Sequence, residues 1–220
     1  DTVALNTFNH SLYTLAEAAL ALDGGDTVTL SSTQNIGVLF DAGGGDDTIT
    51  GATGSDQIQG GNGNDLFIVS ASTTGSSYDG GAGRDMLQID GVGTVDLSGV
   101  TLTSVEDLTL TNEDGTRVIL STAQIAAFTS LDTISSTEDT FAITDFSFLG
   151  TFGTPAARTA AFALLQRLHD NEVEYVEWQE GGATNVAIVD SETIVVTSTD
   201  NGANNWDSSV FTFDLAGNRL

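Results

Sequence analysis

The 220-residue sequence has no cysteine and no lysine, and only one proline and one methionine. Without cysteine there is no disulfide framework and no thiolate ligand. The two histidines, His10 and His169, are far apart in sequence, so zinc and copper have no natural ligand set. Five arginines (Arg84, Arg117, Arg158, Arg167 and Arg219) face 31 acidic residues, for a formal net charge of −26. A field of that size and sign excludes nucleic acid and anionic membrane surfaces as partners and favours metal cations as counterions. No apolar run reaches the roughly 20 residues a membrane helix needs. HExxH is missing and so is GxSxG, so the signatures of a zinc protease and of a lipase are both lacking. The N-terminus shows neither the basic region nor the apolar core of a leader peptide.

Glycine and aspartate, by contrast, are concentrated in one stretch. Residues 42–68 read AGGGDDTIT, GATGSDQIQ and GGNGNDLFI, three units of nine without a gap. Each fits G-G-x-G-x-D-x-U-x, with U a large apolar residue. Asp47, Asp56 and Asp65 hold the sixth position, and Ile49, Ile58 and Phe67 the eighth. Residues 80–88 (GGAGRDMLQ) add Asp85 and Leu87. Between them, residues 71–79 (ASTTGSSYD) keep the length, with Ser76 for the aspartate and Tyr78 at the apolar place. Val69 and Ser70 are inserted before that unit.

The pattern specifies a coil. The x-U-x triplet is a minimal strand with one side chain inward. The six residues before it form a tight turn whose glycines accept positive φ. Nine residues give one strand and one turn, so about 18 complete a coil. A single coil cannot bury its apolar row, so coils must stack. Stacking puts Asp47, Asp65 and Asp85 in one column and Val38, Asp56 and Ser76 on the opposite edge. A carboxylate column beside turn carbonyls suits calcium, which takes six to eight oxygens in flexible geometry; magnesium prefers to keep its waters. The predicted ions lie between the coils of Asp47 and Asp65 and of Asp65 and Asp85, with Asp56 as a weaker site. The turn glycines Gly43, Gly45, Gly61, Gly63, Gly81 and Gly83 complete the expected metal-binding set. Asp41 and Asp79, and with less weight Asp26 and Asp46, are further candidate ligands that also serve as plain turn formers.

On these residues the chain resembles the RTX (repeat-in-toxin, hemolysin-type) calcium-binding nonapeptide family over Asp41 to Gln88. The resemblance implies a right-handed parallel β-roll or β-helix with calcium in its turns, and a secreted or cell-surface protein of a Gram-negative bacterium. It also implies export by a type I route that reads a C-terminal signal; an N-terminus without a leader fits that route and equally fits a fragment or a processed chain.

Elsewhere the chain reads as mostly β with short capping helices. Residues 1–8 form a first strand through Val3 and Leu5. Thr14 and Glu17 make a capping box that opens a helix to about Leu22. Residues 26–30 and 36–40 are strands leading into the repeats. After Gln88 the coil continues without metal turns through strands at 95–97, 108–110 and 118–120, a stretch similar to the β-repeats of bacterial adhesins and surface-layer proteins. A short helix capped by Ser121 or Thr122 reaches Phe128, and 139–145 is a strand. A second helix starts at Thr154-Pro155 and aligns Ala157, Ala161, Leu164, Leu165 and Leu168. A hairpin of 174–179 and 185–189 and strands at 192–199 and 209–215 follow.

The expected layout is therefore an N-terminal segment (1–40), the repeat roll (41–90), a metal-free solenoid (91–149) and a C-terminal α+β capping or assembly module (150–220). Glu172, Glu174, Glu177 and Glu180 form a solvated strand edge more readily than a glycosidase pair. Trp178 and Trp206 suit packing more than a sugar platform. The expected function is non-enzymatic. It is a calcium-binding structural domain that folds after export and serves adhesion, a surface layer or matrix assembly, with calcium, copies of itself or other surface components as partners. The alternative is an accessory or catalytic module of a polysaccharide-acting enzyme.

Overall fold

The computed structural model describes residues 2–6, 15–17, 22–31, 37–51, 54–70, 73, 75–91, 93–111, 115–133, 139–146, 155–180, 183–189, 193–198 and 210–214. Short parallel strands wind into a β-solenoid of about five turns. One face is a sheet of β1 (Thr2–Asn6), β4 (Thr27–Ser31), β7 (Thr48–Thr50), β9 (Leu66–Val69), β11 (Met86–Ile89), β14 (Asp107–Leu110) and β16 (Ser130–Thr133). The opposite face runs through β2 (Leu15–Glu17), β5 (Gly37–Asp41), β8 (Gln57–Asn62), β10 (Ser77–Ala82) and β13 (Thr101–Thr103). Two short strands, β3 (Leu22–Asp23) and β6 (Gly43–Gly44), pair beside it at the turns.

The period of two within each strand sends one apolar row inward. In the first sheet Val28, Ile49, Phe67, Leu87, Leu108 and Leu131 stand in register. All six are buried, none more than 4% exposed. Facing them, Phe40, Ile58, Tyr78 and Leu102 are aligned. Tyr78 meets Phe67 edge-on, with ring centroids 5.5 Å apart. The residues expected inward from the repeat (Ile49, Ile58, Phe67, Tyr78 and Leu87) therefore all lie in the core.

A third sheet begins as the nonapeptides end. β12 (Gly93–Asp96), β15 (Thr116–Leu120), β17 (Thr140–Ile143) and β18 (Tyr175–Glu180) pair in parallel. β19 (Ala183–Val189), β20 (Thr193–Ser198) and β21 (Val210–Asp214) extend it antiparallel. The expected hairpin and terminal strands are the outer part of this sheet. Its inner rows are Val95, Val118, Phe141 and Val176, and Leu120, Ile143 and Trp178. Trp178 is buried against Phe146.

The second sheet stops at β13. One coil later, α1 (Thr122–Ala127) takes the corresponding place in chain order, between β15 and β16. Ser121 caps it in a reciprocal box with Gln124, whose amide also donates to the carbonyls of Leu97 (2.7 Å) and Val100 (3.0 Å). α2 (Pro155–His169) buries Ala161, Phe162, Leu165 and Leu168. Its Arg167 donates to the carbonyls of Ile125 (2.9 Å) and Phe128, satisfying the end of α1. Arg117 forms a fork with Glu177 at 2.9 and 3.0 Å, fastening β15 to β18.

One expectation fails. The helix predicted from Thr14 to Leu22 is not formed: Leu15–Glu17 is a strand paired in parallel with Gly37–Leu39, and Leu22–Asp23 pairs with Gly43–Gly44. Thr14 and residues 18–21 lie outside the described residues. The reason is tertiary. β5 needs a partner along its outer edge, and a ladder of main-chain bonds outweighs a local capping preference.

Phe67 packs at the centre of the stacked rows. Phe67→Ala is expected to cost about 3–5 kcal/mol, read as a lower urea midpoint in saturating calcium. A loss under about 1 kcal/mol would contradict the close-packed row described here.

Candidate metal centre

The three glycine-rich turns stack directly. Gly61 and Gly63 (φ +107° and +132°) and Gly81 and Gly83 (φ +94° and +148°) hold backbone that only glycine adopts freely. A Cβ at Gly61, Gly63, Gly81 or Gly83 would run into the carbonyl oxygen of Gly43, Gly45, Gly61 or Gly63 respectively. Each turn thus presents two carbonyls to the next, and any side chain there would separate the coils. Gly43 and Gly45 adopt the same left-handed backbone one coil earlier.

The aspartates form the expected column, joined by a relay. Asp47 N donates to Asp65 Oδ1 at 2.9 Å, and Asp65 N donates to Asp85 Oδ1 at 2.7 Å. The relay runs past both ends of the predicted set. Asp26 N donates to Asp47 Oδ1 at 2.8 Å, and Asp85 N to Glu106 Oε2 at 2.9 Å. In each aspartate one oxygen is therefore committed to the preceding coil. The second oxygen, Oδ2 of Asp47, Asp65 and Asp85, is buried and has no hydrogen-bond partner. Oδ2 of Asp65 lies over Gly60, and that of Asp85 over Gly80.

The opposite edge carries less charge, as the spacing predicted. Val38 N donates to Asp56 Oδ1 at 3.0 Å, and Asp56 N to Ser76 Oγ at 3.0 Å. Of the lesser candidates, Asp46 accepts from Asn64 N at 2.7 Å on the outer rim. Asp41 and Asp79 flank Gln59 in the strand ladder. Sequence reasoning missed Glu106, because its turn has no glycine. It also missed a second relay on the third sheet, where Thr116 N donates to Asp139 Oδ1 at 2.8 Å and Asp139 N to Glu174 Oε2 at 3.1 Å. The available signal was an acid directly ahead of each strand.

Among the described residues, no three His, Cys, Asp or Glu side chains converge on one point. The donor set is instead one buried, unpartnered carboxylate oxygen per coil, together with the main-chain carbonyls of the stacked glycine turns. That chemistry fits a hard cation taking oxygen ligands, and fits neither zinc nor copper. Of the glutamate cluster read as a strand edge, Glu177 binds Arg117 and Glu174 accepts from Asp139 N. His169 sits beside Asp170 at the end of α2, and His10 and Trp206 lie outside the described residues.

Residues 41–71 match the family model of the RTX calcium-binding nonapeptide repeat (4 copies). The chain carries RTX calcium-binding repeats. RTX nonapeptides bind calcium ions. No curated protein and no solved structure matches the chain.

The electrostatics of the RTX column follow from burial. Asp65 is pushed up from 3.8 to about 6, chiefly by loss of water and further by Asp85, Asp47 and Asp46, against the opposing bond from Asp47 N. Burial likewise raises Asp47, with Asp26 and Asp46 adding to it, and Asp85, with Glu106 and Asp79 adding to it. A carboxyl raised on folding holds its proton more tightly in the coil than in the open chain. Metal-free stability is therefore greatest below the open-chain value and is lost as pH rises through about 6. In chelator, the strand signal is expected to be greater at pH 5 than at pH 7. A strand signal in chelator that rises from pH 5 to pH 7 would contradict the assignment.

Proposed function

We propose that the repeats are a calcium-dependent structural scaffold, acting outside the cell and without catalysis. RTX repeats typify secreted proteins, and among the described residues no helix is long and apolar enough to cross a membrane. The observation that carries the reading is the column of buried Asp47, Asp65 and Asp85, each with one unpartnered oxygen, in turns whose glycines stack directly on the carbonyls of the turn before. In this reading the ions sit between the turns of Asp47 and Asp65 and of Asp65 and Asp85. The donors are those carboxylates and main-chain oxygens of the turns built on Gly43, Gly45, Gly61, Gly63, Gly81 and Gly83. Asp56, facing Val38 and Ser76, holds cations more weakly.

Bound calcium supplies the positive charge the column lacks. The residues supply the rest. The glycines let turns approach, the Oδ1 relay fixes each aspartate, and the apolar rows set the spacing. Where calcium is scarce, as in the cytosol, like charges keep this part of the chain open. Outside, each ion present at about a hundredfold excess over its dissociation constant adds roughly 2.7 kcal/mol to the folded state. Folding and binding become one event. A stiff, acidic, parallel coil of this kind suits adhesion, a surface layer or an extracellular matrix of a Gram-negative cell, with copies of itself or other surface components as partners.

The test is a calcium titration followed by far-ultraviolet circular dichroism, with magnesium as control. Strand signal is expected to appear cooperatively with calcium alone. Asp65→Ala, which removes the carboxylate shared by both gaps, is expected to need at least tenfold more calcium. Full strand signal in chelator, indifferent to Asp65, would refute the scaffold reading.

A further inference from the structure

The third sheet is apolar on both faces where it leaves the solenoid. A strand with one face in water alternates apolar and polar residues. Residues 186–188 read VAI and residues 193–196 read TIVV, without that alternation. Ala187, Ile194 and Val196 lie in the core and are fully buried. Val186, Ile188 and Val195 are turned the other way. Strand pairing sets Tyr175, Ile188 and Val195 side by side in one outward row, with Val186 in the next. Ile188 is 41% exposed, one of two large apolar residues so open among those described. The other, Leu39, lies on the second sheet.

The charge on this face is balanced, in a chain of net charge −26. The outward side of the second sheet, by contrast, bears Asp41 and Asp79. Among the described outward positions of β15, β17, β18, β19 and β20 stand one cation and one anion, Arg117 and Glu177. The fork at 2.9 and 3.0 Å joins them, so the two cancel. A cationic partner meets no free acid there. Two copies joined through the second sheet would oppose acid to acid, whereas through the third sheet they meet without net repulsion at the contact.

We propose that this outward face, centred on Tyr175, Ile188 and Val195, is a self-association surface that packs against the same face of a second copy. A same-face contact is isologous and needs no second surface. Two sheets stack in this way about 10 Å apart, with their side chains interleaved. The apolar groups leave water, and the only charges covered are already paired. The size of the face sets the strength. Five strands about 4.8 Å apart span about 19 Å. Each copy therefore offers on the order of a few hundred Å², under the roughly 800 Å² of a standard interface. A single contact is weak and reversible, and it gains hold where many copies are tethered together. The proposal rests on the assembly role given above and names the surface for it; it does not depend on which turns bind calcium.

The experiment is sedimentation velocity of the full chain in calcium, up to about 1 mM protein, with circular dichroism of the same samples. The wild-type chain is expected to move from monomer towards dimer as concentration rises. Ile188→Glu, which sets acid against acid across the contact, is expected to raise the dissociation constant at least tenfold. Leu39→Glu, at the other exposed apolar residue, is expected to leave it unchanged. Should Ile188→Glu lose its strand signal in calcium, Thr197→Glu, outward beside Val186, is read in its place. A folded wild-type chain that stays monomeric throughout overturns the inference and leaves the calcium reading intact. So does association that survives Ile188→Glu, or that Leu39→Glu weakens equally. Full strand signal in chelator with the association retained removes the calcium reading and supports this surface.

Discussion

The N-terminal half is governed by burying a row of like charges at the spacing of a parallel sheet, about 4.8 Å. Asp47, Asp65 and Asp85 are all inside, none more than 1% exposed. Two carboxylates at that distance repel, and taking them from water adds to the cost. The coil offsets part of it with the relay, in which every aspartate accepts the main-chain N–H of its counterpart one coil back. The relay satisfies only one oxygen of each carboxylate. The other, Oδ2, is buried without a hydrogen-bond partner. The glycines of the turns serve that one arrangement, and no lysine or arginine precedes Arg84.

The relay ends at Glu106, and beside it Arg84 pairs with Asp107. From there the solenoid changes shape. The face made by β5, β8, β10 and β13 closes, α1 stands in its place, and a third sheet carries the chain into its antiparallel edge. Arg117 and Arg167 then join elements far apart in sequence, the first across 60 residues and the second across about 40. Arginines 84, 117 and 167 each bridge two layers of the fold. An isolated exposed pair contributes little, but the fork of Arg117 and Glu177 is half-buried and bidentate, the geometry in which such pairs hold best.

Much of this was legible in the sequence because the repeat couples two signals. The ninefold period fixed which residues face inward and which aspartates share an edge. The 20-residue step from Asp65 to Asp85, caused by Val69 and Ser70, did not disturb the column: Val69 lengthens β9, buried and paired with Ile89, and Ser70 follows the strand. The illegible parts are those where tertiary context decides. Leu15–Glu17 carries a good helix start yet serves as a strand, because β5 needs an edge partner. Glu106 and the Asp139–Glu174 relay have no glycine pattern around them, and only the register reveals that each carboxylate meets a main-chain N–H of a neighbouring strand. The third sheet was read as separate strands and a hairpin, since nothing local tells β18 that its parallel partner is β17.

The central claim is that the acidic column is held closed by calcium, whereas the arginine-bridged coils beyond it need none. Hydrogen–deuterium exchange of the intact chain, resolved by peptide and compared in calcium and in chelator, tests it directly. The account predicts that amides of residues 43–89 pass from rapid exchange to strong protection when calcium is added, while 116–133 and 155–180 are protected in both states. Equal protection of 43–89 with and without calcium would contradict it.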